Sequence, residues 1–407
     1  MSFAPPIRFP FSVLAFALTG SVPAIEIQID YSYDDLDFFD TPGKRRAMEA
    51  AASFFEKALH DNLLAIDAGA FGGSASWTAL FFHPATGTET EIANLVVPEN
   101  TLIIFVGSRP LSSGTSGQGG PGGWSASGNQ AWFDHIQGRG SAGAASDPPT
   151  DVSPWGGQIS FNSTVTWNFS LTENLDGREF ISTALHEIAH VLGFGTSDVW
   201  DERIASGAFS GPAAAQSHGS APAAGAGHLQ NPISGPDLTS TFFGSFGAGH
   251  GTRGPALMLP SRTDTGADFD VTTDLDLACL ADLGWEVRPP APLTPLALSP
   301  DQASFEWPSV SFFDYRVQRG DDLASFPGGS GLFAGNGLVQ SWSDPAPPAN
   351  RAFYRLSSEF NLASAASASS LTSPKLPAAD DSGAFTRKTV APRVVECGTC
   401  AVHGDPE

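Results

Sequence analysis

Residues 183–200 read TALHEIAHVLGFGTSDVW, and three side chains in this stretch have the types and spacing of a hydrolytic metal site. His186 and His190 are four apart, so on a helix both imidazoles project from one side and can share a Zn2+ at about 2.0–2.1 Å. Glu187 is rotated from His186 by about 100° around the same helix, which sets its carboxylate beside such a metal rather than on it. A carboxylate there can take a proton from an attacking water and deliver it to a leaving amine. Two imidazoles do not complete the site, because catalytic zinc takes three protein ligands and keeps a fourth position open. Thr196 follows six residues after His190, and a hydroxyl is a poor zinc ligand beside imidazole. Either the site is incomplete or the third ligand comes from elsewhere in the chain.

The element that presents these residues is expected to be a helix from Arg178 to Leu192. Asp176 is its candidate cap, and Gly193 is the candidate residue past its end, able to turn left-handed. Phe180, Ala184, Leu185, Ile188, Val191 and Leu192 supply its core-facing stripe. Upstream, IEIQIDYSY alternates as a strand does, and residues 41–63 read as a helix with Thr41 as N-cap and Pro42 in its first position. SWTALFFH, TLIIFVGS and GQISFNSTVTW supply further strands, so the outline is α+β. The glycine-rich stretch at 107–132 reads as a surface loop. Its formal G-x-G-x-x-G at Gly117, Gly119 and Gly122 is interrupted by Pro121 and lacks an abutting strand and a following helix, which argues against a nucleotide site.

A chain of 407 residues exceeds one comfortable core, so two or three domains are expected. Its net charge of −23, with only 20 Lys and Arg, leaves no basic stripe to neutralise phosphates and repels anionic membrane surfaces, so no nucleic-acid partner is expected. Residues 1–24 read as a signal peptide: Arg8, then the short apolar run FPFSVLAFALTG, then SVPA with small residues at Val22 and Ala24. Secretion to the extracellular space follows, and no later stretch is long and apolar enough to span a membrane. A proline-rich linker is expected over 289–302, a small all-β sandwich over 303–360 and an Ala/Ser-rich low-complexity tail over 361–407. Cys279 fits a core position, whereas Cys397 and Cys400 form CGTC near the C-terminus, without the surroundings of a redox motif. Asp30, Asp34 and Asp35 are a candidate Ca2+ cluster, with solvated carboxylates as the plainer reading.

HEIAHVLGFG resembles the metzincin motif HExxHxxGxxH, with Gly193 at its glycine. ALMLP resembles the Met-turn, which implies that Met258 lies beneath the zinc, and TTDLDLACLADLGWEV is similar to the closing helix of matrix-metalloprotease-like and leishmanolysin-like domains. IDYSYDD, GPGGWSASG and WGGQISFNS resemble landmarks of bacterial secreted metzincins, so the likeness extends over residues 25–288. Trp307 and FYRL give residues 303–360 a resemblance to fibronectin type III-like modules. Thr196 departs from the metzincin pattern. Leishmanolysin-like proteases carry an insertion between the glycine and a distant histidine, and the insertion in this chain holds His218, His228 and His250. The resemblance implies His228, in GAGHLQNP, as third ligand; His250, eight residues ahead of Met258, is the runner-up, and His218 and Asp198 stay open.

The resemblance thus implies a metzincin-like domain over 25–288, with a twisted mixed sheet, an active-site helix and a Met-turn, followed by the small sandwich. It implies a secreted zinc endopeptidase that binds an extended protein or peptide substrate along an edge strand. The alternative is a non-catalytic extracellular adhesion or matrix-binding protein on the same scaffold, against which Glu187 weighs, since a structural metal needs no general base. No cysteine precedes the motif helix, so latency through an upstream cysteine is not expected. Oligomeric state is not legible.

Overall fold

The computed structural model describes residues 25–59, 61–72, 75–139, 155–170, 177–225, 227–231, 238–241, 253–260, 272–287, 294–299, 302–308, 313–320, 326–334, 339–347, 352–360 and 388–398. The signal-peptide segment, His250 and Cys400 fall outside them. The chain is α+β with several small sheets. It opens with β1 (Glu26–Asp30) and α1 (Pro42–Ala58). The Thr41 hydroxyl accepts from Lys44 N, Pro42 begins the helix, and the apolar stripe through Phe54 and Phe55 is buried. The helix ends at Ala58 rather than continuing to Leu63. Next come β2 (Ser76–Phe82), β3 (Glu89–Ala93), β4 (Thr101–Arg109), β5 (Thr115–Pro121), β6 (Gly123–Ser127), α2 (Gln130–Gln137) and β7 (Gly156–Asn162).

β1, β4 and β7 are parallel neighbours, and β5 joins β7 antiparallel, with Gly119 opposite Ile159. β2 lies between β3 and β6 in a second, antiparallel sheet. The glycine-rich stretch expected to be a surface loop is therefore mostly strand, in β5 and β6, and most of it is buried. Its glycines have a steric reason. A Cβ at Gly117 would fall 2.7 Å from Glu187 Oε1, and one at Gly119 would fall 2.6 Å from the Glu187 carbonyl oxygen, so only glycine at these two positions admits the motif helix this closely.

Short strands β8 (Trp167–Asn168) and β9 (Arg178–Glu179) lead into α3 (Phe180–Val191), every residue of which is buried. The Asp176 cap is corrected to Glu179, whose carboxylate accepts from Ile181 N at 2.6 Å and Ser182 N at 2.7 Å. The insertion folds as α4 (Asp198–Arg203), β10 (Ile204–Ala205), β11 (Ala208–Phe209) and α5 (Pro212–His218), and β12 (Thr239–Thr241), β13 (Arg253–Pro255) and α6 (Asp274–Asp282) follow. Cys279 is buried on α6, as expected of a core thiol. No described helix is long and apolar enough to cross a membrane.

Seven further strands are β14 (Thr294–Ser299), β15 (Gln302–Pro308), β16 (Phe313–Gly320), β17 (Gly328–Gly329), β18 (Phe333–Ala334), β19 (Val339–Asp344) and β20 (Phe353–Phe360). They form an antiparallel sheet β14-β15-β19 and a second one in which β16 pairs β17, β18 and β20. The sheets meet through Phe305 and Tyr354, with ring centroids 4.6 Å apart, and through the fully buried Trp307 against Phe333 at 5.4 Å. The span expected to be linker contains β14. Its Pro295 is tolerated because β14 is an edge strand, and the register shifts between Pro295 and Ala297.

The span expected to be low-complexity tail contains two strands, β21 (Lys388–Val390) and β22 (Val395–Gly398). β21 pairs β6 and β22 pairs β5, both antiparallel, so the C-terminal region extends both sheets of the N-terminal half.

Candidate metal centre

α3 stops in a way that positions its second histidine. Val191 is the last helical residue and Leu192 the C-cap, Gly193 takes φ +97°, Phe194 N donates to Ala189 O at 3.0 Å, and Gly193 N donates to His190 O at 3.0 Å. This pair of bonds is the Schellman arrangement, and it needs the left-handed glycine. The turn brings the Phe194 carbonyl within 2.7 Å of His190 Nδ1. Trp285, just past α6, donates its indole N–H to the Leu192 carbonyl at 2.7 Å and closes the helix end.

Thr196, at the position of the expected histidine, turns inward to donate its hydroxyl to the His190 carbonyl at 2.7 Å. The next residue, Ser197, caps α4, and Trp200 on α4 packs between Phe194 and Phe209. The Asp282 carboxylate on α6 accepts from Ala213 and Ala214 N at the start of α5. The insertion thus folds back, and Gly225 N donates to His228 O at 2.9 Å, forming the turn that carries His228.

His228 meets the helix pair. Its Nε2 lies 3.1 Å from that of His186 and 3.2 Å from that of His190, and the two helix histidines are 3.1 Å apart. All three are buried. Tetrahedral zinc with bonds of about 2.0–2.1 Å separates its ligand atoms by about 3.3 Å, close to this triangle. Tautomers favour the same use. His186 Nδ1 lies 2.9 Å from the Leu257 carbonyl and His190 Nδ1 lies against that of Phe194, so each Nδ1 donates and each Nε2 points its lone pair inward. Lone pairs this close repel one another unless a cation lies between them. Burial holds His190 well below the usual imidazole range, with His228 adding to the shift, and burial lowers His228 to about 4. Both imidazoles are neutral at pH 7, the form in which a histidine can bind a metal.

The Met258 turn holds two of the three ligands by its backbone. The Leu257 carbonyl orients His186, and the Met258 carbonyl accepts from Leu229 N at 3.0 Å, next to His228. The turn is itself gripped by Asp276 on α6, which accepts from Leu257 N at 2.9 Å, Met258 N at 3.1 Å and both the N–H and hydroxyl of Thr273. Burial pushes the Asp276 carboxyl up, against the opposing pull of those four donors. Sequence reasoning missed Asp276. Its only trace was the T-x-x-D pattern of a capping box at Thr273, which the structure contains.

Glu187 is buried with its carboxylate against Gly117 and Gly119 of β5, directly after His186 and three residues before His190. Among the described residues, the three histidines are the one group of His, Cys, Asp or Glu arranged to hold a metal. His218 is exposed at the end of α5, and Asp198 is exposed in an ion pair with Arg393, so neither reaches the triad. Asp30 and Asp34 spend carboxylate oxygens on the backbone amides of Ser32 and Phe39 within the turn after β1, and Asp35 lies near His83, which leaves no Ca2+ cluster there among the described residues. No family model, curated protein or solved structure matches this chain.

Proposed function

We propose that the chain is a secreted zinc-dependent endopeptidase of metzincin-like construction, with His186, His190 and His228 as metal ligands and Glu187 as general base and acid. The observation that carries this reading is the inward-facing Nε2 triangle, 3.1–3.2 Å on each side, on the helix that also bears Glu187. A bound zinc would supply Lewis acidity and bring the pKa of the attacking water to about 7.

The chain's own residues have separate tasks. Glu187 takes a proton from the attacking water as its oxygen bonds to the carbonyl carbon, and then delivers that proton to the amide nitrogen as the C–N bond breaks. The Leu257 and Phe194 carbonyls hold His186 and His190 in one tautomer. β5, which packs against α3, carries beside Glu187 the edge along which an extended polypeptide would pair, the edge that β22 occupies in the structure. Residues 294–360 are a fibronectin type III-like accessory module in this reading.

The test is cleavage of a reduced, alkylated protein by the chain from Ile25 onward, after loading with one zinc. Loss of cleavage both on chelation and in Glu187→Ala supports the reading. A zinc-loaded wild-type protein whose cleavage survives Glu187→Ala contradicts it.

A further inference from the structure

β22 lies where a substrate strand would lie. One edge of β5 is used by β7 and the other is paired antiparallel with the chain's own C-terminal strand. Val395 stands opposite Gly119 and Cys397 opposite Gly117, the two β5 positions whose missing Cβ atoms make room for Glu187. Val395 also borders the third ligand, because a Cβ on Gly227, the residue before His228, would lie 3.0 Å from Val395 Cγ1. The C-terminal strand therefore runs across the gap between Glu187 and the His228 turn.

The approach to this seat is specific in both shape and charge. A Cβ at Gly120 would fall 2.0 Å from the Arg393 carbonyl oxygen, and one at Gly123 would fall 2.1 Å from the Val390 carbonyl oxygen, so side-chain-free positions admit the incoming backbone. Arg393 N donates to Pro121 O at 3.2 Å, and Gln158 Nε2 donates to Arg393 O at 3.3 Å. The Arg393 guanidinium reaches Asp198 at 2.5 Å and Asp201 at 3.2 Å on α4, and the Thr196 carbonyl in the turn after α3. This clamp joins the tail to the insertion that carries His228.

A β-strand edge offers its donors and acceptors to one partner at a time. We infer that residues 391–398 are a built-in inhibitory strand, which occupies the β5 edge as an extended polypeptide would and must leave before a substrate can pair there. The inference rests on the endopeptidase reading for its consequence, and on the strand register and the Arg393 clamp for its geometry.

The experiment compares the full chain with its Arg393→Glu and Asp198→Lys/Asp201→Lys variants, each loaded with zinc. The first sets a carboxylate against Asp198 and Asp201, and the second sets two cations against Arg393, so both undo the clamp without altering the β5 edge. The probe is a fluorescein-labelled, reduced and alkylated protein. Its cleavage is measured directly, and its binding is measured by anisotropy in a Glu187→Ala background. Both variants should raise kcat/KM and binding affinity by about tenfold or more, with zinc stoichiometry unchanged and faster amide exchange in β5. Faster β5 exchange in a folded variant, with no gain in binding or cleavage, would overturn the inference and make β22 a structural extension of the sheet. Binding gained by the variants with no cleavage by any protein would keep the inhibitory strand and sink the endopeptidase reading. Unchanged β5 exchange, binding and cleavage in both variants would also overturn the inference.

Discussion

Gly195 and Gly227 meet backbone to backbone: a Cβ on Gly195 would lie 1.9 Å from the Gly227 carbonyl oxygen. Both residues have positive φ, +71° and +92°. This contact joins the turn that ends the motif helix to the turn that presents His228, so a ligand 38 residues from His190 arrives at hydrogen-bonding distance from it. The histidine triangle is thus assembled through two residues that have no side chain of their own.

Gly195→Ala should therefore weaken zinc binding as well as stability. The left-handed φ and the steric conflict together should cost about 2 kcal/mol or more, and zinc affinity should fall at least about tenfold as His228 is displaced. Gly207→Ala is the matched control, since Gly207 has φ +78° with nothing within 4 Å of its Cβ position. It should cost about 1 kcal/mol and leave zinc affinity unchanged. Equal zinc affinity in the two variants, measured by competition with a chromogenic chelator, would rule out the positioning role.

Asp276 should behave as a residue that acts on the metal through the Met258 turn. Asp276→Ala leaves the amides of Leu257, Met258 and Thr273 without their acceptor, so stability should drop by about 3 kcal/mol. Asp276→Asn keeps one carboxyl-like oxygen and should lose less. In both, zinc affinity should fall by about 10–100-fold, because His186 is oriented by the Leu257 carbonyl. Zinc titration of the folded variants checks this, and unchanged affinity would confine Asp276 to a stabilising role.

Asp61 makes the stability of the N-terminal half depend on pH. Its buried carboxylate accepts from Glu286 N, and burial raises its pKa to about 6 against the 3.8 of an ordinary Asp. The folded chain then holds a proton that the unfolded chain has released, so this contribution is full below about 4 and is lost as pH rises to about 6. Asp61→Asn keeps an acceptor without a titration. Denaturant unfolding at pH 4 and pH 7 should show wild type losing on the order of 2 kcal/mol relative to the variant across that interval. Parallel pH profiles for the two proteins would contradict it.

Much of the site was legible because its signals are local. HEIAH lies within five residues, and Gly193 marks the end of its helix by a conformation that glycine adopts without cost. His228 follows only from the resemblance, and the short spacing to Met258 speaks for His250 instead. What stayed hidden is long-range or lacks side chains. β5 has no apolar alternation to read, because Gly117 and Gly119 leave space for Glu187. β22 pairs with a strand some 280 residues upstream, and its neighbours in sequence are the low-complexity segment that masked it. Asp276 looked like one more acid on an acidic chain, since its partners lie in the turn 18 residues before it.

The most direct measurement is zinc content after dialysis against a weak chelator, taken on wild type, Glu187→Ala and His228→Ala together with cleavage of the alkylated protein. Wild type and Glu187→Ala should each retain one zinc per chain and only wild type should cleave, while His228→Ala should lose the metal and the activity. Full zinc retention by His228→Ala, or cleavage by Glu187→Ala, would contradict the assignment of these residues as ligand and base.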